Sequence, residues 1–323
     1  MDGAMSGRMR RREVLGALAL PMFAWTSPSR GAPQPISVVT SFSILHDMVA
    51  SVCGGRAMVR SLVGPNSDAH NYQGRPSDAQ AIATAALLVS NGLGFEPWLP
   101  RLMDAVGFKA RPVVASAGIE PLMRSAVPDP HCWQDVANAR RYVANIAEGL
   151  KAVDAANADH YAAGAGAYDR KLAALDAWIR SEIAGVPAEQ RRAITDHDAF
   201  AYFAKAYGVE FLALRGRVPE SEPPAKRIAE LIAELRAHKV RALFFENMSN
   251  PALIQQIARD AGAIVGPELY SDALSAPGGP AATYEAMMRH NVTALVAGMK
   301  QNCRTACKSR VMQARRAWPT VAP

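Results

Sequence analysis

The chain has 323 residues, half of them apolar and a fifth charged, so it can bury two ordinary cores and exceeds one typical domain. Its formal net charge of +7 sits at the ends: residues 1–32 hold five Arg against Asp2 and Glu13, and residues 300–323 hold six basic residues and no acidic one. The body between them is slightly acidic, which excludes a broad phosphate-neutralising face and with it nucleic-acid binding by the folded part.

In chain order, residues 1–32 read as an export signal. Arg8, Arg10, Arg11 and Arg12 precede an apolar run over 14–25, and small residues follow at 29–32. The run is too short for a permanent membrane span. Arg11-Arg12-Glu13-Val14-Leu15 resembles the twin-arginine export motif, with an ordinary Sec signal as the alternative. No cysteine stands at the cleavage region, so a lipid anchor is not indicated and a periplasmic protein with its signal removed is expected. Residues 33–154 form a first lobe, with strands at 36–40, 57–63, 87–90 and 111–115 and helices at 44–53 and 77–86. Ala- and Leu-rich stretches at 134–153 and 155–183 predict helices. The second, within a linking segment over 155–185, would be about 40 Å long. Such a helix is a stiff connector, which favours local loop movement over large domain closure unless it belongs wholly to one lobe. A second lobe over 186–300 repeats the alternation, with strands at 192–195, 210–214, 241–246 and 263–265 and helices at 200–207, 225–238, 251–261 and 284–299. Residues 301–323 are expected to be a solvated or frayed basic tail.

Four residues fall on loops that follow strands: His70 in GPNSDAH, His131 in DPHCW, His197 in TDHDAF and Asp272 in LYSDALS. In open α/β sheets ligands bind outside the carboxyl ends of the strands, and three imidazoles with one carboxylate complete a coordination shell for a divalent ion such as zinc. Each residue alone has a plainer reading, a hydrogen-bonded loop histidine or, for Asp272, a helix cap. His46, His160, His238 and His290 fall on helices. Asp135, Asp196 and Glu246 are candidates to support the ligands through hydrogen bonds, or else caps and surface groups. Cys53 and Cys132 could form a bridge, Cys303 and Cys307 share a helix face, and Cys132 beside His131 points away from it.

SLVGPNSDAHNYQGRPSDAQ, DPHCWQDVANA, ITDHDAFAYFAKAYGVEF, LFFENMSNPALIQQIARDAGA and LYSDALS, followed by TYEAMMRHNV, resemble in order the signature segments of the zinc/manganese solute-binding proteins of ABC transporters, the cluster A-I or TroA-like receptors. The resemblance runs from about residue 36 to 299. It implies an α/β fold of two (β/α) domains with parallel sheets, joined by one long rigid helix, with a metal site in the interdomain cleft. It implies His70, His131, His197 and Asp272 as ligands of Zn²⁺, with Mn²⁺ the alternative, and a monomer that delivers the ion to an inner-membrane ABC permease. Members carry His or Glu at the third ligand position, and His197 places this chain with the His form, which leans towards zinc. Many zinc-specific members have a long His- and acid-rich loop after the first ligand motif; this chain has none. Its segment LRGRVPESEPPAK at 214–226 also departs from the smoother loop of relatives. The competing readings are a secreted zinc hydrolase, with Asp272 as general base for a water held by the three histidines, and an adhesin on the same fold. For release of a captured ion, the loop bearing Asp272 is expected to open on docking.

Overall fold

A computed structural model of the chain describes residues 35–124, 126–216, 223, 225–238, 240 and 242–316. The first lobe runs β1 (Ile36–Thr40), α1 (Ser43–Cys53), β2 (Ala57–Ser61), α2 (Pro76–Ala83), β3 (Leu87–Ser90), α3 (Leu99–Ala105) and β4 (Val113–Val114). Its sheet is wholly parallel in the order β2-β1-β3-β4. Runs such as LLVS in β3, buried at every position, suit a strand covered on both faces. Helix α1 stops at Gly54, whose φ of 53° makes a left-handed cap, and α2 starts on Pro76, which supplies a helical φ without needing its missing N–H.

A two-stranded hairpin, β5 (Met123–Arg124) with β6 (Val127–Pro128), leads to α4 (Val136–Val153) and α5 (Ala158–Ala184). The second lobe follows as β7 (Arg192–Thr195), α6 (Ala201–Tyr207), β8 (Glu210–Ala213), α7 (Ala225–His238), β9 (Ala242–Leu243), α8 (Ala252–Ala261), β10 (Ile264–Val265) and α9 (Tyr284–Arg316). Its parallel sheet has the order β10-β9-β7-β8. Both lobes therefore wind alike: the first strand lies between the second and the third, and the fourth lies outside the third. The reversal beside the first strand leaves a crevice at the strands' carboxyl ends.

The inner faces of both sheets share one core. Val38, Leu87 and Val89 of the first sheet and Ala193 and Ala242 of the second join Tyr142 and Ile146 of α4, Leu172 and Ile179 of α5, and Met288 and Leu295 of α9 in one buried cluster. The outer faces have separate cores, around Leu62, Leu88 and Leu99 in the first lobe and Leu231, Leu243 and Ile257 in the second. The long helix α5 packs on α1, α4, α6 and α9, so it braces both lobes; α4 and α9 reinforce it.

The expected elements are present with shorter strands: 57–63 ends at Ser61, 111–115 contracts to Val113–Val114, and 241–246 to Ala242–Leu243. Backbone hydrogen bonds to the neighbouring strands run a little past these ends, at Leu62, Val63, Ala115 and Phe244, before the chain turns into the loops that carry polar residues. Helix α3 and the β5–β6 hairpin add to the expected elements. Helix α9 continues past residue 299 to Arg316, across the boundary where a frayed tail was expected. Cys53 and Cys132 are buried and free, so the possible bridge between them is absent. No helix among the described residues is long and apolar enough to cross a membrane. The export signal expected at 1–32, residues 317–323, and 217–222 within the departing segment lie outside the described residues.

Candidate metal centre

Each of the four predicted ligands is held by its own local structure. The loop carrying His70 leaves β2 with the ladder still paired, Leu62 N–H to Thr40 O and Val63 N–H to Ser41 O, both at 2.9 Å. The loop is then fixed by Asp68 Oδ1, which accepts the His70 N–H at 2.7 Å, and by Trp98 Nε1, which donates to Ala69 O at 2.7 Å. His131 follows the hairpin, and Asp129 Oδ1 accepts its N–H at 3.0 Å. Asp129 is itself held by Tyr202, whose hydroxyl donates to its carbonyl at 2.9 Å. His197 lies two residues past β7, where Thr195 Oγ1 donates to its carbonyl at 3.1 Å. Asp272 follows Ser271, whose carbonyl accepts Trp133 Nε1 at 2.8 Å and Gln134 Nε2 at 2.9 Å. Two residues before Asp272, Asn291 grips Tyr270 N–H and carbonyl at 3.0 and 2.6 Å.

These segments bring all four side chains to one point. His70 Nε2 lies 3.3 Å from His131 Nε2 and 3.2 Å from Asp272 Oδ2. Asp272 Oδ2 lies 3.0 Å from His197 Nε2, and Oδ1 lies 3.6 Å from His131 Nε2. One donor atom from each residue falls within 4.8 Å of every other. A tetrahedral shell with donors about 2.0–2.1 Å from zinc has donor–donor edges of about 3.3 Å, so the cluster has the size of such a shell. His131, His197 and Asp272 are fully buried, and His70 is 4% exposed. Phe95 packs edge-on to His70 with centroids 4.5 Å apart, and Trp133 lies 5.4 Å from His131, forming an aromatic floor. Asp272 Oδ1 has no hydrogen-bond partner. A buried carboxylate oxygen left this way, facing a cluster of imidazole nitrogens, suits a cation between them.

The electrostatics follow from the same contacts. Burial lowers the pKa of His131, yet Asp272 and Asp129 outweigh it and hold the ring up at about 9. Burial also opposes charge on His197, but Glu246 and Asp272 raise it well above the ordinary value. Asp272 is pushed up by burial and more strongly down by His131 and His197, so it stays ionised well below the usual carboxylate range.

The supporting carboxylates only partly follow expectation. Glu246 Oε2 sits 2.5 Å from His197 Nδ1. Asp196 pairs instead with Ser249 and Arg215, and Asp135 caps α4 by accepting the Ala137 N–H at 2.9 Å. The carboxylate on the ring of His131 is Asp129, 2.8 Å from Nδ1, which the sequence reading did not single out. Its signal was the spacing Asp-x-His, shared by Asp68 with His70 and by Asp129 with His131. Cys132 turns its sulfur to Asp129 O, away from the cluster.

The sequence profile of the family described as zinc-uptake complex component A, periplasmic, matches residues 38–298. The chain belongs to this family. Among its relatives, the manganese-binding lipoprotein MntA of Halalkalibacterium halodurans is 34% identical over 270 residues, covering 83% of this chain and 90% of the relative. The iron-binding protein YfeA of Yersinia pestis is 32% identical, covering 86% and 90%. The solved structure of the periplasmic zinc-binding protein TroA of Treponema pallidum superposes with a TM-score of 0.78 at 30% identity, covering 82% of this chain and 99% of TroA. Two parallel-sheet lobes tied by a long helix are thus the family's fold.

Proposed function

We propose that this chain is the solute-binding component of an ABC importer for a divalent metal ion, working outside the cytoplasm, with His70, His131, His197 and Asp272 as the ligands. Residues 33–154 and 186–300 serve as the two metal-binding lobes and 155–185 as the link between them. The signal expected at 1–32 would direct the chain to the periplasm, where the ion is captured and passed to a membrane permease. The observation that carries this reading is the buried four-donor cluster with the dimensions of a coordination shell, in a chain of a family whose relatives are named for manganese, iron and zinc.

Zinc is the ion we put first and manganese second. Three neutral imidazoles and one carboxylate suit a borderline ion, whereas manganese gains from additional oxygen donors. The shell is closed and dry, which suits capture; a hydrolase would need an open position for water and substrate. The test is a competition titration of the metal-stripped protein with Zn²⁺ and Mn²⁺ against chelators of known affinity, beside His197→Ala. One-to-one zinc binding tighter than manganese and weakened in the variant is expected. Stoichiometric binding of neither ion would overturn the proposal, and tighter manganese binding would overturn the choice of ion.

A further inference from the structure

In the second sheet, β9 lies between β10 and β7, the two strands whose following segments carry Asp272 and His197. Three residues past β9 stands Glu246, fully buried. Its backbone is fixed by a parallel bridge to Leu269, with Asn247 N–H donating to Leu269 O at 3.0 Å and Leu269 N–H to Phe245 O at 2.9 Å. Its carboxylate reaches both neighbouring segments. Oε1 accepts the His197 N–H at 3.0 Å, Oε2 sits 2.5 Å from His197 Nδ1, and the Ser271 hydroxyl donates to Oε2.

We infer that Glu246 is a positioning residue that ties His197 and Asp272 into one preassembled half of the metal site. This rests on the metal-capture reading and deepens it. Placing a carboxylate where no water reaches it is costly unless its oxygens find partners, and here two donors, the His197 N–H and the Ser271 hydroxyl, come from two ligand segments, with the His197 ring in ion-pair contact beside them. The carboxylate 2.5 Å from Nδ1 favours a proton on that nitrogen and so leaves the Nε2 lone pair free, the tautomer that a metal requires. Asp129 grips His131 in a similar way, through the backbone N–H and Nδ1, but it serves one ligand only. Glu246 touches one ligand directly and the residue beside another, so the two are placed together by a single group. The alternative is a glutamate that merely stitches the end of β9 to its neighbours, which would support folding without setting the donors.

Glu246→Gln keeps the size and one acceptor, but turns an amide N–H₂ towards either His197 N–H or Nδ1. Facing Nδ1, it favours the tautomer with the proton on Nε2, the wrong one for coordination. Ser271→Ala removes only the link to the Asp272 segment. The experiment is zinc competition titration of the full chain as wild type, Glu246→Gln, Ser271→Ala and the double variant, with Asp129→Asn and Asp129→Asn/Ser271→Ala as controls. Visible absorption of the Co²⁺-loaded proteins reports donor geometry. Glu246→Gln is expected to lose about 10–100-fold in affinity and to change the cobalt bands. Ser271→Ala is expected to lose about tenfold alone, nothing further on top of Glu246→Gln, and its full share on top of Asp129→Asn. Should Glu246→Gln fail to fold, Ser271→Ala must still alter the cobalt bands although Ser271 is not among the four donors. Unchanged affinity and spectra, or losses from Ser271→Ala that add fully to those of Glu246→Gln, would overturn this inference alone in a wild type that binds. A wild type without one-to-one binding would overturn the metal-capture reading and this inference with it.

Discussion

At His131 two carboxylates face one imidazole, Asp129 at Nδ1 and Asp272 near Nε2, and this sets how the site responds to pH. Without metal the ring stays protonated up to about 9, so an incoming ion must displace that proton. Between about pH 6.5 and 9 the affinity should therefore rise about tenfold per pH unit for each proton released. Calorimetry at pH 7.5 in two buffers of different ionisation enthalpy should show at least one proton released, and none would contradict this electrostatic picture. The sign for stability is opposite. The folded pKa lies above the unfolded value of about 6.5, so the ring's contribution to the metal-free fold is complete below that value and is lost as pH rises through about 9. Melting of the stripped protein should fall across that window. Asp272, held low by the same histidines, contributes above about pH 3.9, and its share is lost as pH falls through its folded value. Asp129→Asn should cost about 10–100-fold in zinc affinity, read by chelator competition. The four members of the cluster were legible because each sits in a polar motif on a loop that follows a strand. Asp129 was not, because Asp-Pro reads first as a turn, and Asp135 looked like a supporting group until its capping of α4 became visible.

The loops that carry the donors are not held equally. The Asp272 segment is pinned through Tyr270 by Asn291, through Ser271 by Glu246, Trp133 and Gln134, and through Leu274, whose N–H donates to Ser43 Oγ at 3.0 Å. These contacts argue against the expectation that this segment opens first. The loop over 62–75 bears the one donor with any exposure, and apart from Asp272 within the cluster itself the carboxylate at His70 is that of Asp68, which holds the backbone N–H. Hydrogen exchange with and without zinc should show metal-dependent protection concentrated over 64–73 and little change over 268–275; the reverse pattern would restore the Asp272 segment as the gate. Helix α5 meets α1 at Gly164, where an added Cβ would come within 2.3 Å of Val52 O. Gly164→Ala should therefore destabilise by about 1–3 kcal/mol in denaturant unfolding, although alanine is the better helix former. The alternation of strands and helices was legible in most elements because buried parallel strands are short apolar runs and the helices repeat every three to four residues. Helix α3 was not, since it has only seven residues with Pro97 just before it and Pro100 in its first turn, and the β5–β6 hairpin has only two residues per strand. The sheet orders depend on pairings far apart in the chain, which local patterns do not encode.

Across the whole molecule, the inner faces of both sheets belong to one buried cluster with α4, α5 and α9, so the lobes are joined by a core as well as by a helix. Unfolding of the metal-free chain should be one cooperative transition by both fluorescence and circular dichroism; two separate transitions would mean that the lobes are energetically independent. Zinc at about a thousand times its dissociation constant should add about 4 kcal/mol to that transition. The first lobe supplies His70 and His131, and the second supplies His197 and Asp272, so a bound ion would close a contact between lobes that the shared core already holds together. On the metal-capture reading, one divalent ion sits between these four side chains. Anomalous diffraction from crystals of the zinc-loaded chain, collected on both sides of the zinc edge, tests it directly. A single peak about 2.0–2.1 Å from Nε2 of His70, His131 and His197 and from an Asp272 carboxylate oxygen is the expected result. A peak elsewhere on the protein, or none at this cluster in a chain that binds zinc in solution, would contradict it.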